Sequence, residues 1–317
     1  LIADYFMPTG TTIQQHPVYI VEARTRRGKR VQITAGYLLR MCLLVLVPMG
    51  LMWLGMMQLR LLMTDRTYRP GLSEADIIIT TSGEVIAWLF IFSVLAGGLL
   101  DAISVLTSAT GINRERAIGH WDLLRMTNLK RREVIHAKHA LAQERTWRLL
   151  VLVMAMRVTV IVLGVIHTMF IIPLETDRSF GSLFAEGFRE VPFQMTAALV
   201  ILTLFVLVYV LEPIWRVWAV TAMGTAVSAR ISGITPAILT GLAGIGLMWL
   251  GQGGIAVGYF IGIFTMFGDV EVNSTEVGLM LFFFVEVVFA LIIFQYYRGL
   301  RQWALRRATR DAFAREV

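Results

Sequence analysis

Six long apolar runs dominate this sequence: Tyr37–Leu59, Gly83–Thr107, Leu149–Ile172, Val191–Leu211, Pro236–Phe267 and Val277–Tyr297. A helix needs about 20 apolar residues to cross the hydrocarbon of a bilayer, and each run is long enough. The apolarity is continuous rather than alternating, which excludes transmembrane strands. Of 317 residues, 56% are apolar and 16% charged, and the mean hydropathy is +0.68. Soluble domains run at about 45–50% apolar and about 25% charged, so an ordinary soluble enzyme and a disordered chain are both excluded. The single cysteine, Cys42, lies inside the first run, so there is no disulfide framework and no Cys-rich metal site. The first run is too long for a signal peptide and follows a polar, basic stretch of more than thirty residues, so it is read as retained.

Basic residues set the orientation, because cytoplasmic loops carry an excess of Lys and Arg. Arg24, Arg26, Arg27, Lys29, Arg30 and Arg40 precede or begin span 1, and nine more basic residues lie between spans 2 and 3. Arg216 and Arg230 follow span 4, and six arginines follow span 6. That places 23 of 29 basic residues on one side, against five on the other, where eleven acids gather. Both termini and the 2–3 loop are therefore expected in the cytoplasm. The net charge of +7 is a topology feature, and no nucleic-acid motif or separate basic domain accompanies it.

The expected organisation is a cytoplasmic segment over 1–36, a six-span membrane domain over 37–297, and a basic cytoplasmic tail over 298–317. Within the first segment, Pro17–Arg30 mixes Val18, Tyr19, Ile20 and Val21 with a basic cluster, which suits an amphipathic helix along the inner membrane face. The largest insert, 111–148, reads as two short amphipathic helices around a turn at Thr127-Asn128. The first carries Trp121, Leu123, Leu124 and Met126, and the second Val134, Ile135, Ala137 and Leu141. Such helices either lie on anionic headgroups or dock a cytoplasmic partner, and the two readings are compatible. The outer loops are too short for an extracytoplasmic catalytic domain.

Span 5 is anomalous. Its 32 residues would measure about 48 Å as a helix, beyond the ~30 Å hydrocarbon core. Either it is strongly tilted, or it breaks at Gly251-Gln252-Gly253-Gly254 and leaves a partly re-entrant piece. Gly254, Gly258 and Gly262 form one small-residue face, read as a helix-packing surface.

Charges within the spans cost ~2.5–3.5 kcal/mol on insertion scales and point to function. Asp101 in span 2 and Arg157 in span 3 lie at similar depths and are expected to pair. Glu286, near the middle of span 6, has three readings: pairing with Arg157, protonation, or lining a water-filled path. His167 is read as a hydrogen-bonded helix contact, and Glu212-Pro213 as a kink. His136 and His139 stand i, i+3 without an evident third metal ligand.

Within the insert, Arg114-Glu115-Arg116, Gly119, Trp121-Asp122-Leu123-Leu124, Thr127, Leu129 and Glu133-Val134 with Lys138 run in one register. This register resembles the loop of type-2 ABC permeases, the membrane subunits of one class of ABC exporters. The family pattern is roughly acidic-Arg-Glu, Gly-Thr, a Leu-rich run, Thr-Pro-Leu, then Glu-Ile and Gly-Lys. His120 stands where Thr is usual, Asn128 where Pro is usual, and His136 near the usual Gly-Lys. Pro17–Arg30 and Ala222–Ala237 are similar to the family's amphipathic N-terminal helix and to the small-residue segment after its fourth span.

The resemblance implies an all-α integral membrane fold of six transmembrane helices, with cytoplasmic coupling helices between spans 2 and 3 and a plasma (inner) membrane location. It implies a half-transporter that pairs with a second permease subunit, as homo- or heterodimer, and sits in membrane lipid. A cytoplasmic ABC ATPase subunit would hold ATP-Mg beneath it. The docking surface would comprise Arg114, Glu115, Arg116, Gly119, Trp121, Asp122, Leu123, Leu124 and Thr127. Trp121, Leu123 and Leu124 would anchor it and the charges would set register, because surface ion pairs are individually weak. No G-x-x-x-x-G-K-[ST] phosphate loop occurs in the chain, so the chain itself is expected to be no enzyme and to carry no cofactor. Two alternatives stand beside this reading. One is a scaffold subunit that keeps the permease fold without transporting. The other is an intramembrane enzyme, which would need Asp101, His167 or Glu286 to converge.

Overall fold

The computed structural model describes residues 17–25, 35–66, 74–127, 129–171, 179–268 and 275–313. Within them the chain forms α1 (Pro17–Thr25), α2 (Ala35–Arg66), α3 (Glu74–Ala109), α4 (Gly111–Ile118) and α5 (His120–Met126). Then follow α6 (Arg131–Ile166, with a π-helical turn His167–Ile171), α7 (Phe180–Glu190), α8 (Pro192–Arg230), α9 (Ile234–Gly268) and α10 (Thr275–Phe313). No strand occurs among the described residues. Helices α2, α3, α6, α8, α9 and α10 are long and apolar enough to cross a membrane, so the chain is a multi-pass membrane protein.

The pattern of exposure agrees with lipid as the solvent. Leu51, Leu247 and Leu250 are 64%, 70% and 73% exposed, a pattern that would mean a large apolar patch in water. The buried face is built from small residues and branched aliphatics. Helix α8 packs most extensively against α10 and also touches α3, α6 and α9, and α2 lies outside against α3 and α6.

Glycines mark the closest crossings, because without a Cβ two backbones approach further. A Cβ at Gly224 of α8 would collide with the Ser108 hydroxyl of α3. One at Gly241 of α9 would come within 2.5 Å of Val105. Gly224→Ala is expected to cost about 1–3 kcal/mol as an overpacked contact. The readout is a lower unfolding temperature in detergent, and an unchanged one would show that α3 and α8 separate freely.

Several expectations are corrected. Of the two readings of span 5, the break at its glycines is ruled out: α9 runs unbroken from Ile234 to Gly268, and Gly251 packs beside Tyr296. A Cβ on Gly254, Gly258 or Gly262 would meet no atom of the described residues within 4 Å. Pro213 lies inside α8, where the expected kink would fall within a continuous helix and is not itself overturned. The insert holds two short helices, α4 and α5, joined at Gly119, whose φ of 78° is a left-handed conformation that glycine adopts without strain. Its Val134–Leu141 stretch is not a separate helix but the start of α6, because neither Pro nor Gly interrupts the chain before Gly164. Thr127 ends α5, and Asn128 lies outside the described residues. The basic segment after span 6 is helical as far as Phe313, as the end of α10.

Candidate functional site

The insert is locked to one end of the bundle, hereafter the insert end, by an exchange of caps. The first N–H groups of any helix lack intrahelical acceptors and the last carbonyls lack donors. Here the N–H groups of Ile112 and Asn113, opening α4, donate to Ser228 Oγ at 3.1 and 3.2 Å. In return Arg116 of α4 donates to the carbonyls of Ser228 and Ala229, at 3.3 and 2.8 Å, near the end of α8. The guanidinium also suits the partial negative charge of that helix end. The Asn113 side chain donates to the Gly233 carbonyl at 3.2 Å, which ties in the turn before α9.

Trp121 completes the lock. Its ring is 1% exposed, in a core with Ile112, Val134, Ile135, Ala226, Ala304 and Ala308. Phe313 stacks at 5.7 Å between centroids and the Arg116 guanidinium lies 5.9 Å from the ring. This corrects the reading of Trp121 as an outward anchor, since its area is already used between α5 and α10. Glu115 is likewise engaged inside the chain, in a buried ion pair with Lys138 of α6. Leu124 is half-buried against the same core. Arg114, Gly119, Asp122, Leu123 and Thr127 face outward. They share the outer surface with Ile118 and Met126, which are 58% and 76% exposed. Helix α1 docks beside the insert: Val18 and Tyr19 are buried against Ala137, Ala140 and Leu141, and Tyr19 Oη donates to Glu144 at 2.8 Å.

A second polar centre lies within the bundle. Asp101 and Arg157 do not pair with each other as expected. Arg157 Nη1 donates to Glu212 Oε2 at 2.9 Å and also to the Tyr209 carbonyl, with its guanidinium 4.8 Å from the Tyr209 ring. Asp101 Oδ1 lies 3.2 Å from Arg216 Nε, and Asp101 Oδ2 accepts from Trp249 Nε1 at 3.0 Å. Arg216 Nη1 reaches Glu212 Oε1 at 3.3 Å. The same oxygen accepts from Tyr297 Oη at 2.6 Å and from Gln252 Nε2 at 3.4 Å. Two carboxylates and two guanidiniums thus balance, and five helices contribute: α3, α6, α8, α9 and α10. Isolated charges there would be prohibitive, whereas a paired and hydrogen-bonded set is tolerated. Gly97 makes room for it, because a Cβ there would collide with the Arg216 guanidinium.

Glu286 stands apart from this network and pairs with neither arginine; it accepts from Tyr259 Oη at 3.2 Å. His167 Nδ1 lies 2.8 Å from Ser82 Oγ, which itself accepts from Trp53 Nε1 at 2.9 Å, so this histidine joins helices by hydrogen bonding. Asp101, His167 and Glu286 therefore belong to three separate groupings. His136 and His139 also diverge: His136 meets Arg132 at 3.3 Å, and His139 turns inward to the Trp218 carbonyl and Thr221.

No protein-family model, curated protein or solved structure matches this chain. The site is therefore read from its own geometry. Glu212 and Arg216 are the network residues that the sequence pattern alone did not single out. By sequence, Arg216 belongs with the basic residues following span 4 and Glu212 stands beside the kink-forming Pro213. Their i, i+4 spacing places them on one helix face, which is the pattern that identifies an intrahelical ion pair. Gln252 and Tyr297 carry no comparable pattern, and their roles emerge only from packing.

Proposed function

We propose that this chain is the membrane-spanning permease subunit of an ABC exporter. A separate ATPase binds at the insert end, which faces the cytoplasm, and a second permease subunit completes the path across the plasma membrane. One observation carries this reading: the exchange of caps between α4 and α8. A force applied to the outer surface of α4 and α5 passes directly into α8, the helix that supplies Glu212 and Arg216 to the buried network. Coupling of this kind needs differential contacts in two states. Rearrangement of the network around Arg216, which lies against both Asp101 and Glu212, supplies them. The cargo is expected to be amphipathic, since the spans present mostly apolar surface.

The outer surface of the insert fits a partner. Ile118, Leu123 and Met126 offer exposed apolar area, and Arg114 and Asp122 flank it to set register. The test is purification of the chain from its native membrane in a gentle detergent, with identification of what accompanies it. An ATPase with a phosphate loop, near one per permease chain, is expected. Leu123→Glu with Met126→Glu is expected to reduce its recovery about tenfold, the equivalent of about 1.4 kcal/mol of lost binding, while the chain keeps its size-exclusion profile. Recovery of other integral subunits without an ATPase would favour the scaffold reading and sink this one.

A further inference from the structure

A cleft of about 300 Å³ opens between α8 and α10 beside the insert end, away from the outer surface of α4 and α5. Its lining changes character along its length. Trp215 and Phe294 line one end, with ring centroids 5.2 Å apart, and Arg298, Arg301 and Gln302 line the other. Phe294 and Arg301 are separated by about 10 Å at the rise of an α-helix. The apolar run of α10 ends at Tyr297 and Arg298 follows at once, so the cleft straddles the edge of the hydrocarbon.

Its polar groups are poised but unsatisfied. Arg301 Nε and Trp215 Nε1 are buried without a hydrogen-bond partner among the described residues. Both atoms are enclosed by the protein itself, so the cleft is met by the remaining guanidinium nitrogens of Arg301 together with Arg298 and Gln302. The Arg301 guanidinium is held 5.4 Å from the Trp218 ring, which fixes its plane without neutralising it. Among the described residues neither Arg298 nor Arg301 has an acidic partner, in contrast to Arg307, which pairs with Asp311 at 3.1 Å. Beyond Gln302 a wider groove continues past Arg132, Arg306 and Arg310, which adds positive field at the cleft mouth.

We propose that this cleft binds one anionic phospholipid, with its phosphate on Arg298 and Arg301 and an acyl chain along Phe294 and Trp215. The chemistry decides the ligand class. Two guanidiniums and an amide suit a phosphodiester oxyanion through charge-assisted hydrogen bonds. Free phosphate would satisfy the arginines and leave the aromatic half of the cleft to water, whereas a lipid fills both halves. Basic pockets between membrane helices select anionic headgroups on the same principle. The assignment requires only that the chain lie in a bilayer, so it stands or falls separately from the ATPase reading.

The test uses the full chain in detergent, with native mass spectrometry to count retained lipid. Phosphatidylglycerol and phosphatidylcholine are added in matched titrations. The wild-type chain is expected to retain phosphatidylglycerol about tenfold more tightly, as expected for charge-assisted contacts that the zwitterion's own ammonium weakens. Arg298→Gln with Arg301→Gln is expected to bring the ratio close to one, and Arg40→Gln, an exposed change on another helix, is expected to leave it intact. Equal retention by the wild-type chain would overturn the proposal whether or not the variant folds. A preference that survives the double substitution would overturn it too. Displacement of the lipid by millimolar inorganic phosphate would do the same and would assign the arginines to a free oxyanion.

Discussion

Glu212→Gln is expected to destabilise the chain by about 3–5 kcal/mol, the cost of removing one partner from a buried ion pair. Glu212 accepts from Arg157, Tyr297 and Gln252 and faces Arg216 at 3.3 Å. An amide keeps the shape but leaves two guanidiniums facing one remaining carboxylate, Asp101. The result is an uncompensated charge between helices with no water to screen it. Thermal unfolding in detergent or nanodiscs reads the loss. Replacing both members of one pair, Glu212→Leu with Arg157→Met, is expected to recover most of it, because the charge is again balanced and the space refilled. If the single and double variants melt alike, the network contributes no coupling and its assigned role fails. Transport should be lost in both, since neither retains the alternative partners that a switch requires.

Trp121→Ala has a comparable expected cost, about 3–5 kcal/mol for truncating a buried aromatic, but one confined to the insert end. The ring fills the space between α5 and the last turns of α10, so its loss leaves a cavity beneath Phe313 and frees α5 to open. Trypsin cleavage around Lys130 and Arg131 is expected to accelerate strongly, because local opening exposes that connection. Trp121→Phe should give an intermediate rate. A cleavage rate equal to wild type would mean that the caps on α4 hold the insert without the tryptophan. Combined with the partner-recovery experiment, this variant also separates two roles. Trp121→Ala weakens partner recovery by loosening α5, whereas changes at Leu123 and Met126 do so with cleavage unchanged.

The membrane architecture was legible because hydrocarbon thickness imposes a length that any sequence can be measured against. Each of the six runs overlaps a helix that is long enough. The insert was legible as two short helices but not where they divide, since the break depends on one left-handed glycine, Gly119, and His120 after it reads as an ordinary helix residue. Trp121 shows the deeper limit. An amphipathic pattern identifies an apolar face without saying whether its cover is lipid, a partner or another part of the chain. Here the cover is Ala304–Phe313, nearly two hundred residues away in sequence. The ion pairs were misassigned for a related reason. Depth matching brought Asp101 and Arg157 to the same level, but the rotation of each helix decides which neighbour a side chain faces. That rotation is set by close contacts such as Gly97 with Arg216 and Gly224 with Ser108.

The core around Trp121 also has a bearing on biogenesis. Ribosomes deliver a chain from its N-terminus, so α4 and α5 emerge long before the end of α10. Until residues through Phe313 have been synthesised, Trp121 lacks the surface that buries it, and until Tyr297 has entered the bilayer, Glu212 lacks one of its donors. Both the insert and the intramembrane network therefore reach their final form only after the last described helix has joined the bundle. A nascent chain stalled before that point would display an unburied indole, the kind of exposed apolar group that chaperones and proteases recognise.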